Sequence, residues 1–419
     1  MYQQIRSTLW KGSLLSIYFL YIPGWAQSSS CQTPSTVKDL LSCVVESHPK
    51  VNAAKLEVEK SVQIEDVARQ RQNPNLNSRN LFPIASQAKG INTEIDLAQP
   101  LELGGKRKSR IEGARAEKLM SAASLRVVQQ EVLIETLLDL HRLRQIDAEL
   151  EVYNETVSTY GHIQKQFKRR SQLTPEQQVA TSVFHLAEVD TLFQKTSLLS
   201  EKNGILAELE YAVGQPISIQ PSLLPTVNLS EIELSATGNP SVPNALVQQG
   251  KANLSLAKAE LQNQKSQSWP NLNIGPSFNG NSLGSGDENH EVGFNLSIGI
   301  PVLQRNKAGV ALAQKDISIA ERSLDFQQRA VEVQRRRWKN QYDLARSVLT
   351  SGIKTQEIES KHKKVESLYD RGFLPSSMVI EAHRQVLDYA RHQHEQELLA
   401  SEARYQLYAL DGRLLEEEL

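Results

Sequence analysis

The chain has 419 residues and carries 47 Lys and Arg against 48 Asp and Glu, so its net charge calls for neither nucleic acid nor any other polyanion. It has only two cysteines and no evident Ser, His and Asp or Cys and His grouping, which leaves no case for an enzyme or for a cofactor. No stretch approaches the roughly 18 to 20 apolar residues a membrane helix needs, so membrane contact would have to come through strands.

Taken in order, Arg6 and Lys11 precede an apolar run from Leu14 to Ile22, then a Pro23-Gly24 break and Trp25-Ala26. This pattern reads as a signal peptide over residues 1–26. Beyond it the compartment is oxidising, and Cys31 and Cys43 are close enough in sequence for a local disulfide. The alternative is a lipidated Cys31, although Ser28, Ser29 and Ser30 precede it where a lipoprotein signal usually has leucine three positions back.

From here the chain is written twice. Asn73-Pro74-Asn75-Leu76-Asn77 returns as Trp269-Pro270-Asn271-Leu272-Asn273, and the segment ending at Pro100 returns as the one ending at Pro301. The first half, residues 27–220, opens with a helical segment from Thr36 to Gln72. A weak strand from Asn75 to Leu81 follows, then a second in which Ile91, Thr93, Ile95 and Leu97 alternate with Asn92, Glu94 and Asp96. Leu101 then runs to Thr174 without proline, which predicts one long helix. Its stripe of Leu143, Ile146, Leu150, Tyr153, Val157, Tyr160, Ile163 and Phe167 has coiled-coil spacing. A turn and a returning helix from Pro175 to about Tyr211 close this half.

Residues 221–242 read as a linker or equatorial segment, and residues 243–419 repeat the plan. The segment from Val242 to Ser268 opens it. Asn271 to Asn279 is a strand, and Val292, Phe294, Leu296 and Ile298 alternate with Gly293, Asn295, Ser297 and Gly299 in another. The loop between them, Gly280 to Gly286, holds the extra residues that separate the copies. Val302 to Leu374 predicts a second long helix, with a seam through Leu324, Val331, Trp338, Tyr342, Leu349, Ile353, Val365 and Leu368. A returning helix runs from Pro375 to about Leu410.

The expected fold is therefore mostly α with a small β part, a duplicated helix-hairpin-helix repeat. Four strands cannot close a barrel, and an open edge in lipid leaves unpaired backbone groups, so the chain must assemble. Two copies would give eight strands and a filled interior. Three would give a twelve-stranded transmembrane β-barrel with room for water, continued by a trimeric α-barrel tunnel.

The junction segment Gln99-Pro100-Leu101-Glu102-Leu103-Gly104-Gly105-Lys106-Arg107, set in this layout, resembles the TolC-type outer-membrane efflux channels and in particular their heavy-metal (cobalt-zinc-cadmium) branch. Tyr369 to Pro375 and Val379 to Arg384 resemble that family's helix-hairpin tip. The resemblance implies a homotrimer in outer-membrane lipid, with a long periplasmic portion that docks a periplasmic adaptor and an inner-membrane pump. The docking tips would be Arg170, Ser171 and Leu173 and Arg371, Gly372 and Leu374, and a constriction would involve Tyr369 and Glu381. Ser171 stands where the family usually has glycine, so that turn is expected to be built differently. Leu374, Met378 and Gln177 replace expected arginine or acidic residues, which weakens the case for a latch.

Other motifs read as structure. Gly104-Gly105-Lys106-Arg107 lacks the earlier glycine and the Ser or Thr of a phosphate loop and reads as a pivot from strand to helix. His392 and His394 are two apart and point in different directions on a helix, so they read as solvated; His383 is an equally weak metal candidate. Arg335-Arg336-Arg337 reads as a solvated run, and Asp370 and Glu381 could be ordinary surface acids. The competing functions are the same duct serving drug efflux or type I protein secretion, and a periplasmic coiled-coil scaffold without a pore.

Overall fold

A computed structural model describes residues 31, 34–82, 90–230, 244–283, 288–352 and 355–414. The signal peptide, the first hairpin loop at 83–89, much of the linker at 231–242 and part of the Gly280 to Gly286 loop lie outside these residues.

The opening segment is two helices, α1 (Val37–Ser47) and α2 (Pro49–Arg69), where one was expected. Pro49 has no N–H to continue α1, and its ring would meet the carbonyl four residues back; the freed Lys50 N–H donates instead to His48 Nδ1 at 3.1 Å. A capping box between Thr36 and Asp39 starts α1. Cys31 and Cys43 form a disulfide, with Cα atoms 5.7 Å apart. This pairing uses the Cys31 sulfur that the lipidated alternative would need. The bridge is buried with Leu40 and Val44 against Leu140 and Leu143.

Strands β1 (Asn75–Leu81) and β2 (Gly90–Glu102) form the first hairpin, and β3 (Asn271–Leu283) and β4 (Glu288–Ile298) the second. They join through β2 and β3 into one antiparallel sheet in the order β1-β2-β3-β4. Helix α3 (Lys106–Lys168) follows the first hairpin; its 63 residues span roughly 95 Å at about 1.5 Å per residue. Leu143, Ile146, Tyr153, Tyr160, Ile163 and Phe167 of its stripe are buried, and Leu150 and Val157 are half-buried. Helix α4 (Pro175–Val213) returns along it, and α5 (Ala245–Gln267) and α2 also pack on α3.

The second long helix is broken. It comprises α6 (Lys307–Ser351) and α7 (Thr355–Asp370), and Gly352 at the end of α6 is extended, with φ −66° and ψ 166°. No proline marks the site. Glycine is the least helical residue apart from proline, and the Thr350 and Ser351 hydroxyls bond back to carbonyls of the preceding turn, a habit that bends helices. Helix α8 (Ser376–Leu410) packs on α3, α6 and α7. In the second seam Val331 and Tyr342 are buried, Leu324, Trp338, Leu349, Val365 and Leu368 are half-buried, and Ile353 lies outside the described residues.

The basic run is not wholly solvated. Arg336 and Arg337 are exposed, but Arg335 donates to the buried carboxylate of Asp411 at 2.6 Å, just beyond α8. After a short 3-10 turn at Pro221–Leu223, the chain reaches the second half as a strap. The carbonyls of Asn228, Leu229 and Ser230 accept from Arg404, Arg346 and Tyr342.

Candidate functional site

The sheet presents two chemically different faces. Across its strands Leu76 faces Leu97, Phe278 lies between Ile95 and Val292, Ile274 faces Leu296, and Leu272 lies between Leu101 and Ile298. This apolar face is uncovered: Val292 is 83% exposed, Phe294 66% and Leu296 63%. A sheet normally buries its apolar face against another layer. The opposite face is polar, with Asn77, Asp96, Ser277 and Gly293 in one row and Arg79, Glu94, Asn279 and Glu291 in the next. The outer edges of β1 and β4 pair with no other strand among the described residues.

Local geometry fixes this sheet. The bridge pattern between β2 and β3 lapses opposite Pro276, which has no N–H to donate, and Gly275 lies so close to Leu97 that an added Cβ would be 1.7 Å from its carbonyl oxygen. At the junction Gly104 and Gly105 have φ of +70° and +77°, the left-handed region glycine tolerates. The corresponding place in the second half is Asn306, also left-handed at φ 50°. Lys106 donates to Asn271 Oδ1 at 2.6 Å, Arg107 to the Arg69 carbonyl, and Arg110 pairs with Glu102 at 2.6 Å. Lys106 and Arg110 thus tie strand to helix, and Arg107 ties α3 to the end of α2.

At the far end, Tyr160, Ile163 and Phe167 of α3, Phe184 of α4 and Val379 of α8 form one cluster, with Leu173 and Tyr369 packed against it. Both helix turns therefore lie at the same end. In the first, Arg170 and Ser171 are exposed, Leu173 is half-buried, and the Arg170 guanidinium sits 5.6 Å from the Phe167 ring centre. Ser171 does not take a left-handed conformation, and a capping box of Thr174 and Gln177 starts α4. The second turn is a Schellman closure on Gly372 at φ +76°: Phe373 N–H donates to the Leu368 carbonyl and Gly372 N–H to the Tyr369 carbonyl. There Arg371 and Gly372 are exposed and Leu374 is half-buried.

Of the two constriction candidates, Tyr369 packs edge-on to Phe184 with ring centres 6.1 Å apart, and burial pushes its hydroxyl pKa up. Glu381 is held by Arg384 at 2.9 Å and by Gln385, which keep its carboxyl below the usual range. Asp370 is exposed.

One of the two histidines read as solvated is not. His392 is exposed, but His394 is half-buried and donates to Glu149 at 2.7 Å, within a network spanning α3, α4 and α8. Arg142 bridges Glu149 and Glu201 at 2.8 and 2.6 Å, bordering a cavity of about 400 Å3. Burial opposes the Glu149 charge, yet the bonds from His394 and Arg142 lower its pKa overall. His383 is 1% exposed and packs on the Tyr160 ring, so it is not a surface residue. Pairings of this kind join residues more than two hundred positions apart, and no local pattern announces them.

No described helix is long and apolar enough to cross a membrane. Residues 40–173 match the family model described as outer membrane efflux protein. No curated protein matches the chain in sequence. Solved structures match its fold over nearly the whole length. The outer-membrane channel OprN has a TM-score of 0.72 at 14% identity, covering 90% of this chain and 89% of its own. The Campylobacter jejuni CmeC outer membrane channel scores 0.69 at 12% identity over 91% and 87%, and CusC 0.62 at 16% identity over 89% and 91%. The family match thus covers about a third of the chain, and these outer-membrane channels share the fold of nearly all of it.

Proposed function

We propose that three copies of this chain form a passive export duct through the outer membrane and across the periplasm. One observation carries the reading: among the described residues, a four-stranded sheet that is uncovered, apolar on one face, polar on the other and open at both edges, joined to a helix of roughly 95 Å. Three such sheets joined edge to edge make a twelve-stranded barrel with the apolar face in lipid, and Asn92, Glu94, Asp96, Asn295 and Ser297 toward water. The repeats are residues 27–220 and 243–419, joined by 221–242.

In this reading the turns at Arg170, Ser171 and Leu173 and at Arg371, Gly372 and Leu374 dock a periplasmic adaptor that couples the duct to an inner-membrane pump. Tyr369 and Glu381 narrow that end. Glu381→Gln would then lower cation selectivity in planar bilayers, and unchanged selectivity removes Glu381 from the constriction. Heavy-metal cations are the proposed cargo, on the resemblance of the segment from Gln99 to Arg107.

Growth of a deletion strain on graded zinc, cobalt, cadmium and copper, beside a panel of hydrophobic drugs and with complementation, tests the cargo. Sensitivity to metals alone supports it. Sensitivity to drugs alone keeps the duct and reassigns the pump. Sensitivity to neither favours secretion or the poreless scaffold.

A further inference from the structure

Near the tip, helices α7 and α8 bring together three side chains of metal-ligating type. His362 and Glu366 stand one turn apart on α7, and His383 faces them from α8; one ligand atom from each lies within 4.8 Å of the other two. His383 is 1% exposed and His362 7%, with their ring centres 4.3 Å apart and the rings nearly perpendicular.

The hydrogen bonding leaves this trio incomplete. Nδ1 of His383 lies 2.9 Å from the Val379 carbonyl, which can only accept, so the proton belongs on Nδ1 and Nε2 of the neutral ring presents a lone pair. That Nε2 is 3.3 Å from Glu366 Oε1, and neither it nor Nε2 of His362 has a hydrogen-bond partner. Buried polar atoms without partners are rare and call for an explanation. A proton on His383 Nε2 would answer Glu366 but leave His362 unserved. A cation held between the three atoms answers all of them. The outer contacts have the form that supports metal ligands: the Val379 carbonyl orients the His383 ring, and Thr159 Oγ1 donates to Glu366 Oε1 at 3.1 Å.

We propose that His362, Glu366 and His383 form a binding site for a divalent transition-metal ion of the zinc class, which clamps α7 to α8. Two imidazoles and one carboxylate suit zinc, cobalt, nickel or copper, whereas magnesium and calcium prefer oxygen ligands. Glu366 also borders a cavity of about 270 Å3 with Thr159 and Asp370, which offers solvent a route to the carboxylate side. The site does not follow from the duplicated plan. Aligned positions differ by 201 before the turn and by 200 after it, so Gly161, Lys165 and Val183 occupy the matching places in the first half. It owes nothing to the duct reading either, because all three ligands lie within one chain.

The test uses the full chain without a tag, washed with chelator and titrated with zinc by calorimetry and with cobalt(II) by visible absorption. The expected result is one zinc per chain, a cobalt spectrum of tetrahedral type that zinc abolishes, and zinc affinity at least tenfold weaker in Glu366→Gln and in His362→Gln. His392→Ala, at an exposed histidine, should bind as the wild type does. His383→Gln is the most buried change, so the other two keep the test decisive if it does not fold. Absence of zinc binding, affinity unchanged in both Glu366→Gln and His362→Gln, or magnesium binding as tight as zinc would overturn the assignment.

Discussion

Asp139 offers the sharpest test of the bundle's electrostatics. It lies on α3, largely buried, and burial first, then the charges of Glu208 and Glu135, push its carboxyl up from 3.8 to about 7. A raised folded-state pKa means that the folded chain holds this proton more tightly than the unfolded chain does. The associated stability is fully present below pH 3.8 and is lost as the pH rises to 7. A shift of about three units corresponds to roughly 4 kcal/mol, which solvent access to the carboxyl reduces to about 2 to 4. Asp139→Asn keeps the shape and removes the titration. Denaturant unfolding of both proteins in one detergent, followed by tryptophan fluorescence at steps from pH 4 to pH 8, should show no difference at the acid end. The variant should gain about 2 to 4 kcal/mol near pH 8. A difference independent of pH, or a less stable variant at pH 8, would refute the reasoning.

Three further outcomes follow from the geometry. Gly275→Ala should disrupt the β2–β3 pairing and lower the yield of assembled protein, because its Cβ would collide with the Leu97 carbonyl, whereas Gly299→Ala, with nothing within 4 Å, should assemble normally. Thermal melts should show Gly372→Ala destabilised by about 1 kcal/mol through its left-handed backbone alone, and Ser171→Gly nearly unchanged. Phe294→Arg, on the face assigned to lipid, should weaken membrane insertion by about 2 to 4 kcal/mol in refolding assays. Asn295→Arg on the opposite face should insert normally and shift conductance toward anions.

The sequence made the sheet and the first bundle legible because their signals are local. Alternation placed the apolar residues of β2 and β4 on one face, and the proline-free run with the stripe from Leu143 to Phe167 located α3 and its buried side. The breaks were harder to read. Pro49 was a visible stop signal that the expected opening helix passed over, and Gly352 carries a helix end that a search for prolines cannot find. Side-chain partners were least legible. Arg335 with Asp411 and Glu149 with His394 pair across the bundle, so one arginine of the basic run and one histidine that read as solvated are tied to buried carboxylates. The spacing of His362 and Glu366, four apart on one helix, was the available clue to the trio with His383. The closer pair, His392 and His394, two apart on α8, offers no such spacing. In the first tip, the expectation that Ser171 would change the turn agrees with the right-handed close found there.

In the proposed duct one chain supplies a third of a pore. Native mass measurement on protein extracted from outer membranes with mild detergent tests it most directly. The expected particle holds three chains and survives heating in mild detergent. A single chain, or recovery of the protein in the soluble periplasmic fraction, would contradict it.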